Sequence, residues 1–182
     1  ERGNRVVAGR IVADDTRFGP DRLGEGWAWD DAVHPYGAPV GALVLHENVV
    51  DLTLAPRAVG LPAGVDQVPA GLELENRVFT RRRGGRELTL RRRWRRPGVV
   101  VAGTLPLGGG VARLRVPVDR PSLFCGRALK RALESAGIEV RRGVVPIGSL
   151  IEYTYKRNEE SLAARHRSPP LADMLREMLH QS

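Results

Sequence analysis

Over the first two-thirds of the chain, β-branched and other apolar residues fall in short runs broken by glycine, proline and charge, as strands do. After Pro121 the apolar positions change to three- and four-residue steps, the helical spacing. Strands are expected over residues 5–14, 40–46, 49–54, 72–83, 86–94, 99–105, 111–118 and 138–145, with another over 149–155. Between them, residues 16–36 read as a long ordered loop and residues 56–70 as a Pro/Gly loop. His46-Glu47-Asn48 reads as the turn joining strands 40–46 and 49–54.

Strands 72–83 and 86–94 are expected to form a hairpin, with Gly84-Gly85 in a two-residue turn that needs positive φ. That register sets Phe79 opposite Leu90 and Arg82 opposite Glu87, which is favourable. It also sets Arg77 opposite Arg92 and Arg83 opposite Arg86, which is not.

From Pro121, Leu123, Phe124, Ala128, Leu129, Ala132, Leu133 and Ala136 share one helical face, and Gly137 is placed to close the helix at C′. A second helix is expected near the end of the chain. Leu171, Met174, Leu175, Met178 and Leu179 form its apolar stripe, with Ser168 as N-cap and prolines just inside the start. Ser182 continues that stripe, four residues after Met178. The fold class is therefore α+β, with mostly antiparallel sheet and two main helices.

Composition narrows the chemistry. The 182 residues are 42% apolar and 27% charged, ordinary for a folded protein with a proper core. No apolar run is long enough for a transmembrane segment, and the polar opening, Glu1-Arg2-Gly3-Asn4, is not that of a signal peptide. Cys125 is the single cysteine, so an internal disulfide and a cysteine-based metal cluster are excluded. It is expected to be a packed, inert thiol on the first helix.

His34, His46, His166 and His180 lack metal-ligand spacing, and Asp14-Asp15 and Asp30-Asp31 are adjacent pairs suited to turns. No metal or organic cofactor is implied. The net charge of +8 rests almost wholly on arginine, since Lys130 and Lys156 are the only lysines. Nine arginines, Arg81, Arg82, Arg83, Arg91, Arg92 and Arg93 among them, fall between Arg81 and Arg96 around Trp94. Such a run is expected to attract a polyanion. No recognised nucleic-acid motif accompanies it, which argues against nucleic acid.

Four collinear stretches carry a family resemblance. They are GRIVADDTRF (9–18), GWAWDDAVHPYGAPVGALVLHEN (26–48), SLFCGRALKRALESAGIEVRRG (122–143) and the terminal HRSPPLADMLREMLHQS (166–182). Together they resemble D-alanyl-D-alanine carboxypeptidases of the penicillin-binding protein 4 type. In that family a long insertion separates the Ser-x-x-Lys and Ser-x-Asn active-site motifs, and Lys-Thr-Gly completes the set.

The resemblance implies that residues 1–150 are the β-rich accessory insertion, with 59–118 a smaller β subdomain inside it. Residues 151–182 then return to the catalytic domain, a transpeptidase-like fold. Ser182 becomes the serine of Ser-x-Asn, and Trp27, Asp30 and Tyr36 become contacts for the peptide stem of peptidoglycan. Aromatic walls suit the aliphatic stem, and a carboxylate suits its terminal ammonium.

No serine here has a lysine three residues on, and neither lysine opens a Lys-Thr-Gly. The 182 residues alone are therefore expected to be inactive, with β-lactam binding confined to the complete enzyme. The resemblance places the protein outside the cytoplasmic membrane, where anionic wall polymer or lipid head groups are the natural polyanions for the arginine run. The competing expectation is a non-enzymatic basic β-rich module that binds nucleic acid or wall polymer.

Overall fold

A computed structural model describes residues 5–19, 21–66, 68, 72–93, 96–147 and 162–180. The expected strand over 149–155, Trp94 and Ser182 lie outside the described residues. The chain divides into two compact units, Glu1–Ile151 and Glu152–Ser182.

In the first unit the elements run β1 (Val6–Val7), β2 (Ile11–Ala13), β3 (Val49–Ala55), β4 (Gly64–Val65), β5 (Leu74–Arg81), β6 (Glu87–Arg92), β7 (Val99–Pro106), β8 (Ala112–Pro117), α1 (Pro121–Ser135), β9 (Glu139–Val140) and β10 (Val144–Pro146). Single 3₁₀ turns occur at Asp31–Val33, Pro35–Gly37 and His46–Asn48. The second unit holds α2 (Leu171–His180).

The architecture is α+β, as the residue pattern implies. Two three-stranded sheets, β4-β3-β8 and β5-β7-β6, share one core. The alternation of β3 points Val50, Leu52 and Leu54 inward, opposite Val116, Leu114 and Ala112 of β8. Val78 of β5 and Val99, Val101 and Leu105 of β7 close on them, each fully buried. Fully burying side chains of this size stabilises by about 1.5–3 kcal/mol each, so these layers hold most of the fold's apolar driving force.

The hairpin expected at Gly84-Gly85 does not form. β7 lies between β5 and β6, parallel to the first over eight residue pairs and antiparallel to the second. The cause is visible in the repulsive pairs of the hairpin register. Arg77 now faces Ala102 and Arg92 faces Val99, so the arginines of the two strands are separated by an apolar strand. β7, the most apolar of the three, thereby gains the central place.

Residues 40–46 are not a strand either. Their backbone donors are used otherwise: Val40 N–H donates to the Arg22 carbonyl (2.8 Å), and Ala42 N–H to Oδ1 of Asp15 (2.5 Å). Asn48 follows with its side chain donating to the Pro39 carbonyl at 2.9 Å, which holds the turn in place of a ladder. His46, Glu47 and Asn48 all have positive φ, 50°, 56° and 57°.

The remaining sheets are small and parallel, β1 with β9 and β2 with β10, and α1 packs on them. α1 ends as the pattern anticipates. Gly137, at φ 80°, donates to the Glu134 carbonyl and Ile138 to the Leu133 carbonyl, a Schellman closure. Cys125 is half-buried on α1 and its thiol titrates above the usual range because burial disfavours the thiolate, in keeping with an inert side chain.

In the second unit, α2 opens later than the Ser168 cap implies. The Pro170 carbonyl accepts from Asp173 and Met174, so both prolines precede the first helical turn. Leu171, Met174, Leu175, Met178 and Leu179 are all exposed.

Candidate functional site

The long loop is ordered by a compact set of interactions around Asp31. Oδ2 of Asp31 accepts from the Ala28 N–H at 2.9 Å, and Oδ1 accepts from the Tyr36 hydroxyl at 3.1 Å. Two consecutive 3₁₀ turns follow, closed by His34 N–H to the Asp31 carbonyl and Ala38 N–H to the Pro35 carbonyl. Gly37 lies so close to the Asp31 carbonyl that a Cβ there would sit 2.1 Å from its oxygen. Only glycine allows the second turn to fold back on the first.

This folding brings two of the expected site residues together. The Trp27 and Tyr36 rings stack with centroids 5.8 Å apart and planes 25° apart. His34 stacks on Tyr36 at 5.1 Å and 12°, extending the aromatic surface. Trp27 is 42% exposed and Tyr36 62%, so this surface faces solvent and does not serve as core. Aromatics ordered by stacking yet left open are equipped to receive the apolar part of a ligand.

Asp30 stands one residue before the first turn and makes no side-chain cap. Among the described residues its carboxylate has no hydrogen-bond or ion-pair partner. The adjacent acids therefore have separate tasks: Asp31 is consumed by the loop, and Asp30 is the open charge. Both act on Tyr36. Its phenol titrates above the ordinary range, through local desolvation first, then the hydrogen bond to Asp31 and the negative charges of Asp31 and Asp30.

The loop is anchored from a distant strand. The side chain of Arg92, in β6, is 7% exposed and donates from Nε to the Ala32 carbonyl at 2.8 Å. Its other nitrogens reach Oδ1 of Asp119 at 2.6 Å and the Pro117 carbonyl at 2.9 Å. The second Asp119 oxygen accepts from Gly98 N–H at 2.5 Å. Burial draws the Arg92 pKa downward while Asp119 opposes it. A planar, five-donor guanidinium suits this fork, for which lysine would be a poor substitute.

Residue patterning missed Asp31, Gly37, Arg92 and Asp119 as organisers of the site. The adjacent acids gave no sign of which was structural, and Arg92 was indistinguishable from its neighbours in the run. The structure disperses that run. Arg81 pairs with Glu87, Arg86 donates to the Gly109 and Val111 carbonyls, Arg92 is buried, and Arg93 lies 3.6 Å from Glu73. Arg82, Arg83 and Arg91 are exposed, with no side-chain partner among the described residues. Ser182 lies outside the described residues, and no group of His, Cys, Asp and Glu fit to hold a metal occurs among those described.

Comparison with known proteins identifies the family. The chain is 31% identical over 182 residues to a D-alanyl-D-alanine carboxypeptidase of an Actinomadura species, a match covering 95% of the chain and 33% of that protein. It is 23% identical to penicillin-sensitive carboxypeptidase A of Dictyostelium discoideum over 82% of the chain and 29% of the relative. The chain thus spans about a third of the length of the curated relatives it matches.

Among solved structures it is similar to penicillin binding protein 4 from Haemophilus influenzae, with a TM-score of 0.60 and 21% identity over 79% of this chain and 32% of that one. The family model for D-Ala-D-Ala carboxypeptidase 3 (S13) matches residues 1–182. With the whole length matched, the chain belongs to the D-Ala-D-Ala carboxypeptidase 3 (S13) family.

Proposed function

We propose that these residues are the substrate-contacting region between the Ser-x-x-Lys and Ser-x-Asn motifs of a serine-type D-Ala-D-Ala carboxypeptidase or endopeptidase that acts on peptidoglycan stem peptides outside the cytoplasmic membrane. Residues 1–150 form the accessory insertion and residues 151–182 the segment returning to the catalytic domain. The nucleophile and the Lys-Thr-Gly motif belong to parts of the enzyme other than these residues, as does the ability to react with β-lactams. Ser182 is the first residue of Ser-x-Asn and assists proton movement or holds the substrate.

The observation that carries this reading is the open face of Trp27 and Tyr36 beside an uncommitted Asp30 carboxylate. The stacked rings receive the aliphatic stem side chain, and Asp30 pairs with the ammonium at its end. Tyr36 keeps its proton at neutral pH and so presents no competing negative charge to the peptide carboxylates.

The test is steady-state kinetics of the complete enzyme. Asp30→Ala is expected to raise KM for stem peptides with a free side-chain amine by about tenfold, the loss of one charge-assisted contact, and to leave KM for the N-acetylated peptide unchanged. Equal KM values for wild type and variant on the free-amine peptide would reject the pocket.

A smaller part of the reading concerns Arg82, Arg83 and Arg91, whose free guanidinium groups suit an anionic wall polymer. Retention on such a polymer should fall when all three are replaced by glutamine. No retention of the wild type at low salt would end it.

A further inference from the structure

A cavity of about 320 Å³ lies at the carboxyl ends of β2 and β10, away from Trp27, Asp30 and Tyr36. These strands are parallel, and α1 starts at the same end, so the cavity occupies the crevice where α/β units commonly hold ligands. Ser122, at the start of α1, lines it. The first turn, Pro121 to Phe124, is buried, Arg120 gives no side-chain cap, and that turn contains no acid. The N–H groups of Ser122 and Leu123 belong to the first turn, which has no intrahelical acceptors. Ser122 is 9% exposed and lines the cavity, and its hydroxyl has no hydrogen-bond partner among the described residues.

The opposite wall is apolar. Phe18, half-exposed, faces the cavity together with Ala13 and Pro146. Asp15 also borders it, and its negative charge is offset by Arg22 at 2.8 Å and by the N–H groups of Ala42 and Leu43. Arg22 meets Asp15 and the Val40 carbonyl through one nitrogen only, which leaves its other donors at the cavity's edge.

We propose that this cavity is a binding site for a small carboxylate bearing an apolar group, with the carboxylate on Ser122 and the first turn of α1 and the apolar group against Phe18 and Pro146. An uncapped helix start and a cavity-facing hydroxyl offer donors, and a carboxylate supplies acceptors for them while meeting the positive end of the helix dipole. An inorganic anion would satisfy those donors but leave the Phe18 wall in water. The volume matches an N-acylated amino acid, near the lower end of about 300–1,000 Å³ for ligand pockets. The proposal is independent of the stem-peptide reading, since none of its residues belongs to that face.

The experiment is amide-shift titration of the isotope-labelled chain with N-acetylalanine, its methyl ester and inorganic phosphate. N-acetylalanine is expected to move the Ser122 and Leu123 amides saturably, and the ester, lacking the charge, is expected not to. Ser122→Ala should weaken the acid about tenfold, the usual effect of losing a hydrogen bond to a charged group. Phe18→Ala, a change at a half-exposed position, should weaken N-acetylalanine but not phosphate. The proposal is overturned if neither amide moves with the acid. It is equally overturned if ester and acid bind alike, or if phosphate binds as tightly as N-acetylalanine and Phe18→Ala affects neither.

Discussion

Arg92 holds the Ala32 carbonyl at 2.8 Å across sixty residues of chain, and with it the turn that presents Asp30. The same guanidinium is bound to Asp119 at 2.6 Å, so the loop, β6 and the segment leading into α1 meet at one buried charge. Removing that charge strands Asp119. Arg92→Met is expected to cost about 3 kcal/mol, as for a buried pair that loses one partner. Arg92→Met with Asp119→Asn should recover part of it. Urea unfolding of the single and double variants measures both.

Asp31 and Asp30 should separate in opposite experiments. Asp31→Ala removes acceptors from Ala28 and Tyr36 and should cost about 1–2 kcal/mol of stability. Asp30→Ala should stay within about 0.5 kcal/mol of wild type, as for an exposed side chain without partners. Its effect is expected on KM alone. A stability loss at Asp30 equal to that at Asp31 would contradict the division of roles.

The Tyr36 phenol provides a pH test. Its folded pKa lies above the unfolded value of 10.0, so the folded state binds the proton more tightly. The resulting stability is fully present below pH 10.0 and is lost as pH rises through the folded pKa. Asp31→Asn should bring the phenol's titration, followed by ultraviolet absorbance, down toward its ordinary value. No downward movement would show that the carboxylate adds nothing to the effect of desolvation.

Gly37→Ala puts a methyl group against the Asp31 carbonyl, where there is no room. The second 3₁₀ turn must shift, which should cost about 2 kcal/mol and release the Trp27–Tyr36 stack. Tryptophan fluorescence and the melting temperature should change together.

The left-handed turn offers substitutions of opposite sign. Glu47, at φ 56°, is 76% exposed at its side chain, and its one ion-pair partner among the described residues is the exposed Arg115. Glu47→Gly should stabilise by up to about 1 kcal/mol, because glycine tolerates that backbone and a surface ion pair contributes little. Asn48→Gly has the same backbone benefit but removes the buried amide that holds Pro39 and Leu45. It should destabilise by about 1–3 kcal/mol. Thermal melts of the two variants distinguish a turn limited by backbone strain from one held by its side chain.

Local chemistry alone was enough for several features. The switch of apolar period at Pro121, the Gly137 closure of α1, the order of the 16–36 loop and the α+β class all follow from spacings of a few residues. The motifs that carry the family resemblance are local as well. Trp27, Asp30 and Tyr36 could be named for that reason, though not the way they meet. Pairing and partner choice were decided elsewhere. The Gly84-Gly85 hairpin is locally favourable, yet β7 takes its place because an apolar strand between two arginine-bearing ones is better buried and better insulated. Likewise, nothing adjacent in the chain distinguishes Arg92 from Arg91, or Asp31 from Asp30. A charged side chain becomes structural or free according to what the fold sets within 3 Å of it, and contacts between residues sixty positions apart arise only once the sheets have packed.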